Sequence, residues 1–156
     1  MKSVLEKELS ERSFFDESYI RNRLEREAAD KVPVSARFIE SDGARFVLLA
    51  RFHDARIIEI VNTQKYGNDC VIIRIDFRGT TTEFKKGYRK FDIYLMNAEY
   101  IETPTKYKEL HVIGLDCMQE SQSLIIGMES VYFTGEQEHK CTCKIRCNGI
   151  DVKSCD

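Results

Sequence analysis

Apolar and polar side chains alternate through residues 52–101, and that period constrains what the chain can fold into. Val71, Ile73, Ile75 and Phe77 fall on one side of an extended backbone, and Arg74, Asp76 and Arg78 fall on the other. Phe91, Ile93 and Leu95 alternate in the same way with Asp92 and Tyr94. A period of two belongs to strands with one dry and one wet face, whereas a helical stripe repeats about every 3.6 residues. Nothing in the run is built for chemistry. It describes a scaffold or a binding surface.

The pattern extends beyond this run. Strands are predicted at Val34–Glu40, Arg45–Phe52, Ala55–Asn62, Asp69–Arg78, Tyr88–Met96, Leu110–Cys117 and Leu124–Phe133, with two more in the C-terminal segment. Turn chemistry separates them at Ser41-Asp42-Gly43, Lys65-Tyr66-Gly67-Asn68, Gly79 with Thr80–Thr82, and Glu120-Ser121. Links this short favour an antiparallel meander.

The first thirty residues differ in texture, with six Lys/Arg, eight Asp/Glu and neither glycine nor proline. Asp16 can cap a helix running to about Asp30 along a stripe of Ile20, Leu24 and Ala28. A shorter helix is expected at residues 2–11 through Leu5 and Leu9, and Pro33 stops the helical segment. The expected fold is one α+β domain over residues 1–156. A helical segment (1–32) packs on a curved, mostly antiparallel sheet of about eight strands built from 34–156.

A chain of 156 residues with 42% hydrophobic and 32% charged residues suits a globular domain with a real core. A net charge of −2 argues against a nucleic-acid partner, which would favour a basic domain. There is no apolar run of membrane-spanning length and no signal-peptide core at Met1–Glu6, so no membrane association and a cytoplasmic location are expected. In that compartment the six cysteines should be free thiols.

Three constellations invite a functional reading. Near the C-terminus, His139, Cys141, Cys143 and Cys147 carry metal-donor side chains, but the Cys-x-Cys-x3-Cys spacing is not that of a zinc knuckle. A strand explains them better: the four fall on one face with Ile145, opposite Lys140, Thr142, Lys144 and Arg146. Asn148-Gly149 then predicts a two-residue hairpin placing Cys147 opposite Ile150, Arg146 opposite Asp151 and Cys155 opposite Thr142. Buried structural thiols are the preferred reading, and a metal or small-ligand site on that Cys/His face is the alternative. No cofactor is expected.

Phe52-His53-Asp54 is the second constellation. On a strand, adjacent side chains diverge, so His53 and Asp54 should not pair, and no nucleophile elbow accompanies them. A Cys–His enzyme is the least favoured reading, and no catalytic residue is assigned. The third is the basic run Lys85-Lys86-Gly87-Tyr88-Arg89-Lys90, which suits a solvated hairpin loop or a contact with an acidic partner. Seven tyrosines in a chain without tryptophan supply candidate anchors for a protein interface. The candidate partner-binding residues are therefore Tyr66, Lys85, Lys86, Tyr88, Arg89, Lys90, Tyr94 and Tyr100.

The segment from Phe52-His53-Asp54-Ala55-Arg56-Ile57-Ile58-Glu59-Ile60 through Cys70–Asp76 and Phe91–Leu95 to Ile101-Glu102 has a recognisable layout. With Glu109–Val112 and Met128–Val131, it resembles small bacterial β-rich proteins in which a Phe/Leu-His-Asp element opens a strand meander. Several of those are proposed immunity proteins, which bind and neutralise a toxin domain inside the producing cell. The resemblance covers residues 52–132 and carries over no catalytic residue. It implies a non-catalytic protein-binding domain that acts by occlusion, with a cognate toxin domain as partner.

Overall fold

The computed structural model describes residues 14–30, 43, 46–47, 50–65, 67–77, 84–85 and 87–155. The described residues are mostly β: helix α1 (Glu17–Asp30) precedes an eight-stranded antiparallel sheet. The strands are β1 (Arg56–Lys65), β2 (Asn68–Asp76), β3 (Lys90–Met96), β4 (Glu99–Glu102), β5 (Lys108–Glu120), β6 (Ser123–Thr134), β7 (Gln137–Cys147) and β8 (Gly149–Ser154). Asp16 begins α1 as its short acceptor side chain suggested, since its Oδ1 accepts the Ser18 amide at 2.9 Å. Ile20 on the predicted stripe is fully buried. The helix expected at 2–11, the strand at 34–40 and the stop at Pro33 lie outside the described residues.

Hydrogen-bonded neighbours run β4-β7-β6-β5-β1-β2-β3-β8. The two ends of this order belong to the same pair of chain segments. β3 continues into β4 through Asn97-Ala98, and β7 continues into β8 through Asn148. Met96 lies opposite Gly149 in one half-ladder and Glu99 opposite Arg146 in the other. Three residues forward on the first segment match three back on the second, so the register is shared. The sheet therefore curls back on itself in a barrel-like form. Its inner wall is a single core that includes Ile57, Ile73, Ile93, Leu95, Leu110, Ile126, Ile145 and Ile150.

That topology corrects the C-terminal hairpin. Ile150, Asp151 and Val152 oppose Leu95, Tyr94 and Ile93 of β3, and the Cys155 amide bonds to the Lys90 carbonyl rather than lying by Thr142. Asn148-Gly149 is a kink, not a turn: the Asn148 amide donates to Met96 O and the chain goes straight on to a new neighbour. Neither residue has a positive φ, which a type I′ turn requires at both central positions. The inward set changes from odd positions (Cys141 to Cys147) to even ones (Ile150, Val152) at this kink. Opposite it, Asn97 at φ 51° makes the matching change between β3 and β4.

The strand expected at Arg45–Phe52 is also corrected. Gly43, Phe46 and Val47 are helical, and the Ala50 amide bonds to Phe46 O at 2.9 Å. Gly43, Phe46, Val47 and Ala50 are all buried, a stripe at three- and four-residue spacing. A Cβ on Gly43 would lie 1.9 Å from the Ile150 carbonyl oxygen, so this stretch packs directly on the β8 backbone. Phe46 joins an aromatic cluster with Phe14, Phe15, Phe77, Phe84 and Phe91. It covers this side of the core.

Candidate interaction surface

The His53-Asp54 pair lies open to solvent. Asp54 adopts φ 67° in a turn ahead of β1, so the strand argument fails here and the two side chains meet, Nδ1 to Oδ2, at 3.0 Å. Their side chains are 72% and 88% exposed, which leaves a surface contact with no walls around it. Asp54 has a structural task, since its amide donates to Val112 O and holds the start of β1 against β5.

The C-terminal thiols face the other way. Cys141, Cys143 and Cys147 are buried on the inner wall, as the alternation predicts. Loss of solvent pushes Cys143 up to about 12, aided by Cys141 and Glu102, and Cys147 up to about 11. Cys117 on β5, which the sequence reading passed over, is likewise raised by burial to about 12. Such thiols are protonated at neutral pH and poor nucleophiles. His139 is stacked on Tyr132 and bonded to Thr134, while Lys106 covers the Tyr132 ring at 4.6 Å. Among the described residues no group of three or more His, Cys, Asp or Glu side chains is disposed to hold a metal.

The basic run is a turn pinned from both sides. Gly87 has φ 98°, the Tyr88 amide returns to Lys85 O, and the Lys85 amide bonds to Phe14 O. Arg89 makes a bidentate pair with Asp76 at 2.7 and 2.8 Å. Asp76 is only 4% exposed although its strand position is on the wet face, because Arg89 closes over it. The other candidates divide. Tyr88 is exposed but packs against Phe14. Tyr94 lies under Lys153. Tyr100 is half-buried, with its hydroxyl donated to Asn62 Oδ1, and burial raises its pKa. Lys85 and Lys90 flank the turn, and Tyr66 and Lys86 lie outside the described residues. Among the described candidates, Tyr88, Tyr94 and Tyr100 each lie against a different neighbour.

The residues that do converge lie on the outer face of β5, β6, β7 and β4. Two glycines interrupt alternating strands there. Gly114 sits opposite Glu129, and Asp116 opposite Gly127, so each glycine faces a carboxylate across the ladder. A Cβ on Gly127 would fall 2.4 Å from Asp116 Oδ1, which shows that the Asp116 side chain lies over it. The missing side chains leave a cleft of about 470 Å³ bordered by Glu102, Asp116, Glu129, Thr142 and Lys144. Thr142 donates its hydroxyl to Glu102 at 2.5 Å.

Apolar groups flank this cleft. Met118, Ile113 and Phe133 are 53%, 42% and 52% exposed. Ile125 lies between Met118 and Arg146 in the ladders, Val131 between His111 and Lys140, and the His111 and Phe133 rings meet edge to face. The sequence reading missed this surface. The available signal was Gly114 and Gly127 inside strand patterns, because glycine there marks a bulge or a close approach. No family, curated protein or solved structure matches this chain.

Proposed function

We propose that this chain is a non-catalytic protein-binding domain. Following the resemblance over residues 52–132, we read it as a bacterial immunity protein that acts in the cytoplasm by covering a toxin domain. One observation carries the binding reading: an outer sheet face that exposes Met118, Ile113 and Phe133 around an acidic cleft. Apolar anchors ringed by polar groups are what a protein interface uses. The solvent-exposed His53-Asp54 pair and the thiols held protonated by burial give no support to nucleophilic catalysis. In the same reading the N-terminal segment is the α layer of an α+β domain, with α1 packed on the curved sheet.

The test is to express the proteins encoded beside this chain in cells with and without it and to score whether the chain protects against a toxic one. A folded His53→Ala or Cys70→Ala variant should protect cells as well as the parent. Phe133→Asp combined with Met118→Asp should lose both binding and protection while melting normally. A His53→Ala variant that binds its partner but no longer protects would overturn occlusion in favour of catalysis.

A further inference from the structure

β5 outruns its neighbour. β1 pairs with it only through Arg56, Ile57 and Glu59, opposite His111, Leu110 and Lys108. The seam ends where the Asp54 amide donates to Val112 O and the Val112 amide donates to Ala55 O. On its other side β5 stays paired with β6 as far as Glu120 opposite Ser123. Residues 113–120 therefore present one edge with no strand beside it among the described residues. Ile113, Asp116, Met118, Gln119 and Glu120 are exposed along it. An open edge offers N–H and C=O groups at alternate residues to an incoming extended chain.

Charge selects what can add there. Residues 113–120 include Asp116 and Glu120 and no cation. Glu129 and Glu102 lie further in on the same outer face, with Lys144 between β6 and β4. Among the described residues Asp116 and Glu129 make no ion pair. A second copy pairing edge to edge would bring two Asp116 and two Glu120 carboxylates to the seam; Arg146 lies 3.9 Å from Glu120, but Asp116 has no such cation, and like charges across a ladder are destabilising. A basic strand meets the opposite situation. Gly114 is the gap in the wall: on an added strand, a long side chain beside it can cross β5 where there is no Cβ and enter the cleft towards Glu129.

We propose that the open edge of β5 is the docking site for an extended segment of a basic partner protein, which adds as a further strand and lays a lysine or arginine across Gly114 into the carboxylate cleft. This rests on the protein-binding reading above and gives the partner its chemistry.

The probe is an extended peptide alternating lysine with valine, compared with its glutamate–valine counterpart, and the readout is amide hydrogen exchange of the whole chain. The lysine peptide should slow exchange within residues 113–120 about tenfold or more, and the glutamate peptide should not. Gly114→Val should weaken that binding about tenfold without unfolding the protein, because a Cβ there meets nothing within 4 Å. Asp116→Asn with Glu129→Gln should weaken it similarly and flatten its salt dependence. Equal protection by both peptides, no protection at 113–120, or dimerisation of the chain through this edge would each overturn the proposal. Protection by the natural partner confined to the Lys85–Lys90 turn would also overturn it, while leaving the protein-binding reading intact. Absence of any binding by a toxin that the chain nonetheless neutralises would remove that reading as well.

Discussion

The β2–β3 side of the sheet and the β5–β6 hairpin are built from the same alternating pattern and finish it differently. On β2 and β3, Val71, Ile73, Ile75, Phe91, Ile93 and Leu95 are buried, and the outer face is tied by charge. Arg74 bridges three strands there, reaching Glu59 at 2.6 Å and Asp92 at 3.3 Å. On β5 and β6 the inner residues Leu115, Cys117 and Leu124 are only partly buried, while Met118, Ile113 and Phe133 stand in solvent on the outside. One side spends its apolar residues on stability. The other buries Leu110, Val112, Ile126 and Met128 and also leaves Met118, Ile113 and Phe133 exposed near a cleft, the apolar groups on which the proposed binding surface rests.

The largest expected contrast is between Phe91 and Met118. Phe91 is fully buried and meets the rings of Phe14, Phe46, Phe77 and Phe84. Phe91→Ala should lower unfolding free energy by about 3–5 kcal/mol. Met118→Ala should stay within about 0.5 kcal/mol. Urea melts of the two variants check this, and similar losses would break the distinction between the sides.

Next comes Asp76. The Asp76 carboxylate is nearly closed off, but the Arg89 side chain is 49% exposed and regains water when its partner is removed, so Asp76→Ala should cost about 1.5 kcal/mol. An arginine on the wet face that touched nothing could be replaced by alanine at almost no cost, and Arg74 is not such a residue. Its bridging of Glu59 and Asp92 raises the expected cost to about 1 kcal/mol, discounted because the guanidinium is half exposed. Double-mutant cycles with Glu59 would measure the coupling.

The smallest effect near neutral pH concerns the thiols. Cys117, Cys143 and Cys147 have folded pKa values raised to about 12, 12 and 11 by burial. A raised folded pKa means the unfolded chain ionises first. The stability from keeping these thiols protonated is fully present below the unfolded value of about 8.5 and is lost as pH rises through the folded values. Melting temperature should thus be insensitive to these thiols between pH 6 and 8, as about 8.5 marks the onset. It should fall steeply above about pH 9, less so in Cys143→Ala. At pH 8, exposed Cys155 should react with a thiol reagent well before these three.

Much of the fold was legible because alternation is local. The inner faces of β2, β3 and β7 follow directly from residue type, and so does the cap at Asp16. The misreadings fell where backbone conformation departs from the simple period. Two adjacent hydrophobes such as Phe46 and Val47 fit a strand or a helix, and only the wider spacing from Gly43 to Ala50 favours the helix. His53 and Asp54 were kept apart by a strand rule that the positive φ at Asp54 suspends. Among the described tyrosine candidates, Tyr88, Tyr94 and Tyr100 each touch a neighbour, which residue type alone does not show.

By itself the sequence determined which side of each strand is dry, because a period of two depends only on neighbouring residues. It also determined that Cys141, Cys143 and Cys147 would be interior. What lies beside a strand is a different kind of fact. Asn148-Gly149 suits a hairpin as well as a kink, and the choice is made by the free edge of β3, more than fifty residues away in the chain. The acidic cleft likewise exists only because β5 and β6 bring Gly114 opposite Glu129 and Asp116 opposite Gly127. Tertiary pairing decided those juxtapositions, because cross-strand register is set by the packing of distant segments and not by any one of them alone.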